Sequence, residues 1–78
     1  MVHVYVIKSM KHNYRYVGIT NNFARRLKQH NEGYNLTTKP YATFETVLVE
    51  NCASYEEARK REKFLKSGQG RKFLDQLK

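Results

Sequence analysis

Cysteine occurs once in these 78 residues, at position 52. A lone thiol excludes an internal disulfide framework and fits a reducing compartment, so Cys52, beside Ala53, reads as a small buried side chain. Tryptophan is absent, and Pro40 is the only proline. Long apolar runs are missing too. No stretch approaches the roughly 20 residues of a membrane span, and no signal-peptide apolar run opens the chain, so cytoplasmic residence is expected. Acidic side chains are scarce, 7 against 15 basic ones, with Asp75 the only aspartate, and the formal charge is +8. Such an excess suits a polyanionic partner, nucleic acid first and an anionic membrane second; a merely soluble basic surface is the plainer alternative. The length allows one domain, residues 1–78, with a modest apolar core.

What is present is ordered. "HVYVIK" (3–8) is β-branched and aromatic, "SMKHN" reads as a turn, and "YRYVGIT" (14–20) resumes strand character, so a β-hairpin is predicted. Gly18 ends the apolar run where the backbone is either closely approached or bulged. Alternation places Tyr14, Tyr16 and Gly18 on one face and Arg15, Val17 and Ile19 on the other. An N-cap at Asn21 and a stop at Gly33 frame a first helix. "YNLTTKPYA" is a loop, and "TFETVLVEN" (43–51) a third strand. Ser54 and Glu57 form a capping box for a second helix running to about Ser67. "SGQG" breaks it, and "RKFLDQLK" is a short terminal helix. The order ββαβαα describes an α+β fold, a small sheet covered by helices.

Polar groups fall on the apolar faces of both helices. Phe23, Leu27 and His30 lie within roughly 60° of one another, Arg26 some 40–60° from His30 and Phe23, and Arg25 well away. Glu62 lies within roughly 60° of Tyr55, Ala58 and Leu65. A carboxylate there is costly unless a cation, metal or donor satisfies it. Plain readings exist for each: an Arg26–Glu62 structural ion pair, a helix C-terminal histidine at His30, core aromatics at Tyr5 and Tyr16. Their joint occurrence in a small polycation is what points to a site.

"VYV" at 4–6, "YVG" at 16–18, "RRLKQH" at 25–30 and "REKFLKSGQG" at 61–70 together resemble the GIY-YIG nuclease superfamily, most closely its small single-domain bacterial type. The first motif carries Val4 and Val6 where the family has glycine and isoleucine, and the second carries Val17. The asparagine that many members place after the glutamate has no counterpart beyond Asn51; Gln76, fourteen positions after Glu62, could substitute for it.

The resemblance implies a three-stranded antiparallel sheet flanked by helices and metal-dependent cleavage of nucleic-acid phosphodiesters, with Mg²⁺ or Mn²⁺. It implies Tyr5 as general base for the attacking water, Tyr16 lining the same site, Arg26 as the catalytic arginine, His30 as a proton relay and Glu62 as the metal ligand. Physical chemistry agrees. A planar guanidinium binds two nonbridging phosphate oxygens as charge gathers on them, which lysine does not reproduce. Mg²⁺ keeps several waters, so one carboxylate plus substrate phosphate can hold it. A phenol near pKa 10 is about one part in a thousand ionised at pH 7, so nearby positive charge, with Lys8 a weaker contributor, must lower it or an acceptor must take its proton.

For nucleic-acid contacts the expected set is Lys8, Gly18, Arg25, Tyr34, Thr37, Thr38, Lys39, Lys66 and Arg71. Loop aromatics, Tyr41 among them, can stack bases while hydroxyls and cations hold phosphates, and the basic cluster Lys60, Arg61, Lys63, Lys66, Arg71 and Lys72 can track a backbone. An ordinary polar connector and a solvated helix face are the alternatives. The expectation is thus a metal-dependent endonuclease acting on nucleic acid, DNA ahead of RNA, on single-stranded or structured substrate. The rival is a non-catalytic nucleic-acid-binding module that keeps the fold.

Overall fold

The computed structural model describes residues 1–77. Strands β1 (Val2–Ser9), β2 (Arg15–Thr20) and β3 (Phe44–Cys52) alternate with helices α1 (Phe23–Asn31), α2 (Tyr55–Lys66) and α3 (Gly68–Asp75), and a short 3₁₀ turn, Lys39–Tyr41, precedes β3. The sheet is antiparallel with β1 in the centre, in the order β2-β1-β3. This is the α+β, ββαβαα arrangement expected.

The central position of β1 explains why "VYVI" is an unbroken apolar run rather than an alternating one, since both faces of the strand are covered. Val4 and Val6 pack with Val17 against Ala58, Leu65 and Leu74 of α2 and α3. Tyr5 and Ile7 turn to the opposite face, where they join Phe44 and meet Phe23 and Leu27 of α1. A bulge between Val6 and Ile7, paired with Leu48 and Thr46, leaves Val47 as the extra residue. It lets Val47 and Leu48 both pack on the α2–α3 side while Phe44 remains on the α1 side.

The local signals place the helices to within a residue or two. The oxygen that caps α1 belongs to Asn22, not Asn21: it accepts from the Arg25 N–H, three residues on, at 3.1 Å. Ser54 and Glu57 form the capping box, with Ser54 Oγ accepting from Glu57 N–H and Glu57 Oε2 accepting from Ala53 N–H. "SGQG" breaks the chain at Ser67 alone; Ser67 then caps α3, which takes in both glycines. Gly70 is required there, because a Cβ would run into the Phe64 carbonyl as α3 folds back on α2. Lys78, the end of the expected terminal helix, lies outside the described residues. Cys52 is only partly buried, packed at the edge of the α2–α3 core, short of the burial expected for it. No helix of the described residues is long and apolar enough to cross a membrane.

Candidate active site

The α1 side of the sheet collects the polar groups. Tyr5 is directly opposite Gly18 on β2, and a Cβ at Gly18 would sit 2.5 Å from the Tyr5 hydroxyl oxygen. The pairing of β1 with β2 has no bulge here, so the glycine serves close approach. Its neighbour is the Tyr5 phenol. Gly18 is itself buried, which removes it from the expected nucleic-acid contacts.

The phenol lies 2.8 Å from His30 Nε2. On the far side of the imidazole, His30 Nδ1 lies 2.8 Å from Thr38 Oγ1. Tyr5 is 1 % exposed, and His30 and Thr38 are fully buried. Thr38 Oγ1 in turn donates to the Asn35 carbonyl at 3.4 Å. A carbonyl only accepts, so the Thr38 hydroxyl spends its proton there and accepts from Nδ1–H. His30 Nε2 is then the bare nitrogen and accepts the Tyr5 proton. Burial first, and the positive charge of Arg26 second, hold His30 below its usual range, consistent with a neutral imidazole. The chain thus runs Tyr5 O–H to His30 to Thr38 to Asn35.

Thr38 was expected to contact nucleic acid. Its burial and its bond to His30 correct that reading: it orients the imidazole. The signal missed is tertiary, since a threonine eight positions after a histidine becomes its partner only when the loop folds back. Tyr41, expected in the same loop surface, stacks on Tyr14 at 3.9 Å between centroids and 8° between planes, and packs in the core. Tyr34 is 73 % exposed, and Thr37 and Lys39 are also at the surface.

Around the phenol stand the other groups. The rings of Tyr5 and Tyr16 are 6.2 Å apart, and Tyr16 is 5.0 Å from His30. Burial, then Tyr16, push the Tyr5 phenol up to about 12; the Arg26 charge opposes this, and the Glu62 charge adds to the rise. The charges of Arg26 and Glu62, from different helices, thus oppose one another at Tyr5, while Arg26 Nη1 itself donates to Gln29 Oε1 at 3.5 Å. The ordinary phenol is made a weaker acid here, the reverse of lowering by positive charge, and of the two routes open to a tyrosine base only onward transfer of the proton is built.

No Arg26–Glu62 salt bridge forms; Glu62 Oε2 accepts from Lys66 Nζ at 3.3 Å, with the Glu62 side chain 24 % exposed. Arg26 is exposed and lies between two hollows of about 460 and 430 Å³ that share Arg26 and Gln29. Arg25 lines only the first, beside Tyr55, which was expected on the packed face of α2 yet is 57 % exposed. Lys66 and Arg71 line a separate groove of about 590 Å³ with Tyr14, Arg15 and Tyr16. Lys8 pairs across the hairpin with Arg15 and, by strand alternation, shares the Val4 and Val6 face, away from the phenol it was expected to influence. Arg61 leaves the basic track as well: it grips Glu50 through two bonds of 2.7 and 2.9 Å and lies over the rings of Phe64 and Phe73. Gln76 is exposed at the C-cap of α3.

The family model of the GIY-YIG catalytic domain matches residues 1–73. The chain belongs to the GIY-YIG family. No curated protein and no solved structure matches it significantly. Within this GIY-YIG domain the motif tyrosines, Tyr5 and Tyr16, are the pair that faces His30, and the domain places the chain among nuclease-type endonucleases that act on nucleic acid.

Proposed function

We propose that this GIY-YIG domain is a divalent-metal-dependent endonuclease that hydrolyses phosphodiester bonds of DNA, with single-stranded or structured DNA as its substrate and the cytoplasm as its place of work. The observation that carries this reading is the buried Tyr5–His30–Thr38 hydrogen-bond chain beside Tyr16, with Arg26 lining the hollow next to His30.

Tyr5 gives its proton to His30 Nε2 as it takes one from the attacking water, which leaves Thr38 to steady the resulting imidazolium. Without the acceptor a phenol near 12 would be far too rarely ionised to act at neutral pH. Arg26, exposed at the mouth of this cluster, takes the nonbridging oxygens through its fork as negative charge builds on them. Tyr16 walls the site beside His30. Lys66 and Arg71 hold flanking phosphates in their groove.

Glu62 suits Mg²⁺ or Mn²⁺. Among the described residues no three His, Cys, Asp or Glu side chains gather into a metal-binding group, so an ion held by Glu62, the residue the family resemblance points to, would complete its shell with water and phosphate oxygens. When bound, such an ion supplies positive charge at the phosphate or leaving oxygen. The test is labelled single-stranded and duplex DNA incubated with Mg²⁺, with EDTA, and with Glu62→Ala: cutting in the first lane alone is expected. A second reading, a nucleic-acid-binding module without turnover, has the near-complete burial of Tyr5 in its favour. It is upheld if DNA binds but is never cut with any divalent ion.

A further inference from the structure

Tyr55 stands apart from the machinery described so far. It begins α2 and falls with Glu62 and Lys66 along one stripe of that helix, at spacings of about two and three turns. Unlike its helical neighbours Ala58 and Leu65, its ring is mostly exposed. With Val2 and Ile19 it lines the 460 Å³ hollow that Arg25, Arg26 and Gln29 of α1 also line. That volume lies in the range of small-ligand sites. A lining that combines an aromatic ring and aliphatic side chains with two guanidiniums is a chemistry matched by a nucleotide, whose base has a flat apolar face and whose phosphate is anionic.

Arg26 lines this hollow and, with His30, the 430 Å³ one beside it, so a strand whose scissile phosphate meets Arg26 can lay the adjoining nucleotide against Tyr55. We infer that the hollow between Tyr55 and Arg25 is a base-binding subsite for the nucleotide next to the scissile phosphate of a single DNA strand, with its base stacked on Tyr55 and its phosphate on Arg25. A base stacked on a side chain cannot also remain stacked in a duplex, so an unpaired strand is the substrate form this subsite accepts. The inference rests on the nuclease reading for the location of the scissile phosphate, and its test does not depend on cutting.

The experiment uses the full chain carrying Glu62→Ala, to keep the strand intact, and a short single-stranded DNA oligonucleotide in which 2-aminopurine is moved one position at a time. Fluorescence change on binding is expected at one position, lost with Tyr55→Ala and kept with Tyr55→Phe. Tyr55→Ala should weaken binding on the order of tenfold, and an abasic site at that position should produce the same loss, with no further loss when the two are combined. Circular dichroism confirms that the variants are folded. The subsite is overturned if Tyr55→Ala binds and reports like its parent at every position, if Tyr55→Phe loses as much as Tyr55→Ala, or if the matched duplex binds more tightly than the single strand. A wild-type protein that never cuts while the Tyr55 dependence persists would sink the nuclease reading and uphold the subsite; cutting with no Tyr55 dependence would do the reverse.

Discussion

The Tyr5 hydroxyl donates to His30 Nε2 across 2.8 Å in a part of the molecule where both side chains are almost wholly buried. The bond fixes what each can do: the imidazole must be neutral with its proton on Nδ1, and Thr38 Oγ1 at 2.8 Å is what keeps it there. Thr38→Val keeps the shape and removes the acceptor. It should cost about 1–3 kcal/mol of stability, the penalty of an unsatisfied buried donor. Nitrogen NMR of His30 should show mixed tautomers, and the rate of DNA cutting should fall with binding unchanged. Thr38→Ser should restore both. A valine variant with an unaltered His30 spectrum would remove Thr38 from the relay.

The neutral imidazole also has a pH signature. His30 lies below its usual range in the folded protein through burial and then Arg26, whereas the unfolded chain protonates near the ordinary histidine value of 6.5. As pH falls through 6.5 the unfolded chain takes up a proton before the folded one, so stability is lost on the acid side and is fully present above. Denaturant midpoints should therefore rise with pH up to about 6.5 and then level off so far as this group is concerned, and His30→Gln should flatten that step.

These two proposals draw on residues that differ in how visible they were beforehand. The helical faces carrying Arg26, His30 and Glu62 follow from a period of 3.6, and the hairpin from alternation and a polar turn, because neighbours along one element obey local geometry. Thr38 and Tyr55 were misplaced for the opposite reason. A loop residue becomes buried only through the return of the 34–42 segment onto α1, and the first turn of α2 faces a hollow rather than the sheet, so Tyr55 shares a stripe with core residues without sharing their burial. Likewise Arg61 looked like part of a phosphate track until the pairing of β3 with β1 placed Glu50 beside it.

Gly18 offers a sharper check on the phenol. Gly18→Ala puts a methyl 2.5 Å from the Tyr5 oxygen, and the nearest atoms belong to an aromatic ring that is itself enclosed. Overpacking of this kind costs about 1–3 kcal/mol. The expected outcome is a lower melting temperature together with loss of the Tyr5–His30 bond, seen as a changed His30 tautomer balance. Retention of full stability would mean that the ring can move aside freely.

Arg25 and Arg26 are adjacent in sequence and unequal in setting. Arg26 lines the hollow beside His30 as well as the one beside Tyr55, while Arg25 lines only the latter. Arg26→Ala should abolish cutting, and Arg26→Lys should recover little, since an ammonium lacks the fork. Arg25→Ala should mainly weaken binding and make it less sensitive to salt. Equal losses of turnover at the two positions would contradict the division of labour drawn from α1.

Lys66 holds the Glu62 carboxylate at 3.3 Å, so a divalent cation and this ammonium compete for one group. With Lys66 57 % exposed, their pairing is worth at most about 1 kcal/mol after solvent screening. Lys66→Met should accordingly tighten Mn²⁺ binding by no more than about fivefold at this scale, measured by electron paramagnetic resonance in the absence of DNA. The same substitution removes a cation from the groove that also holds Arg71, so DNA binding should weaken as metal binding strengthens. Glu62→Gln should abolish Mn²⁺ binding in both backgrounds. If Mn²⁺ binding is unchanged by Glu62→Gln, the metal is held elsewhere and the assignment of Glu62 falls with it.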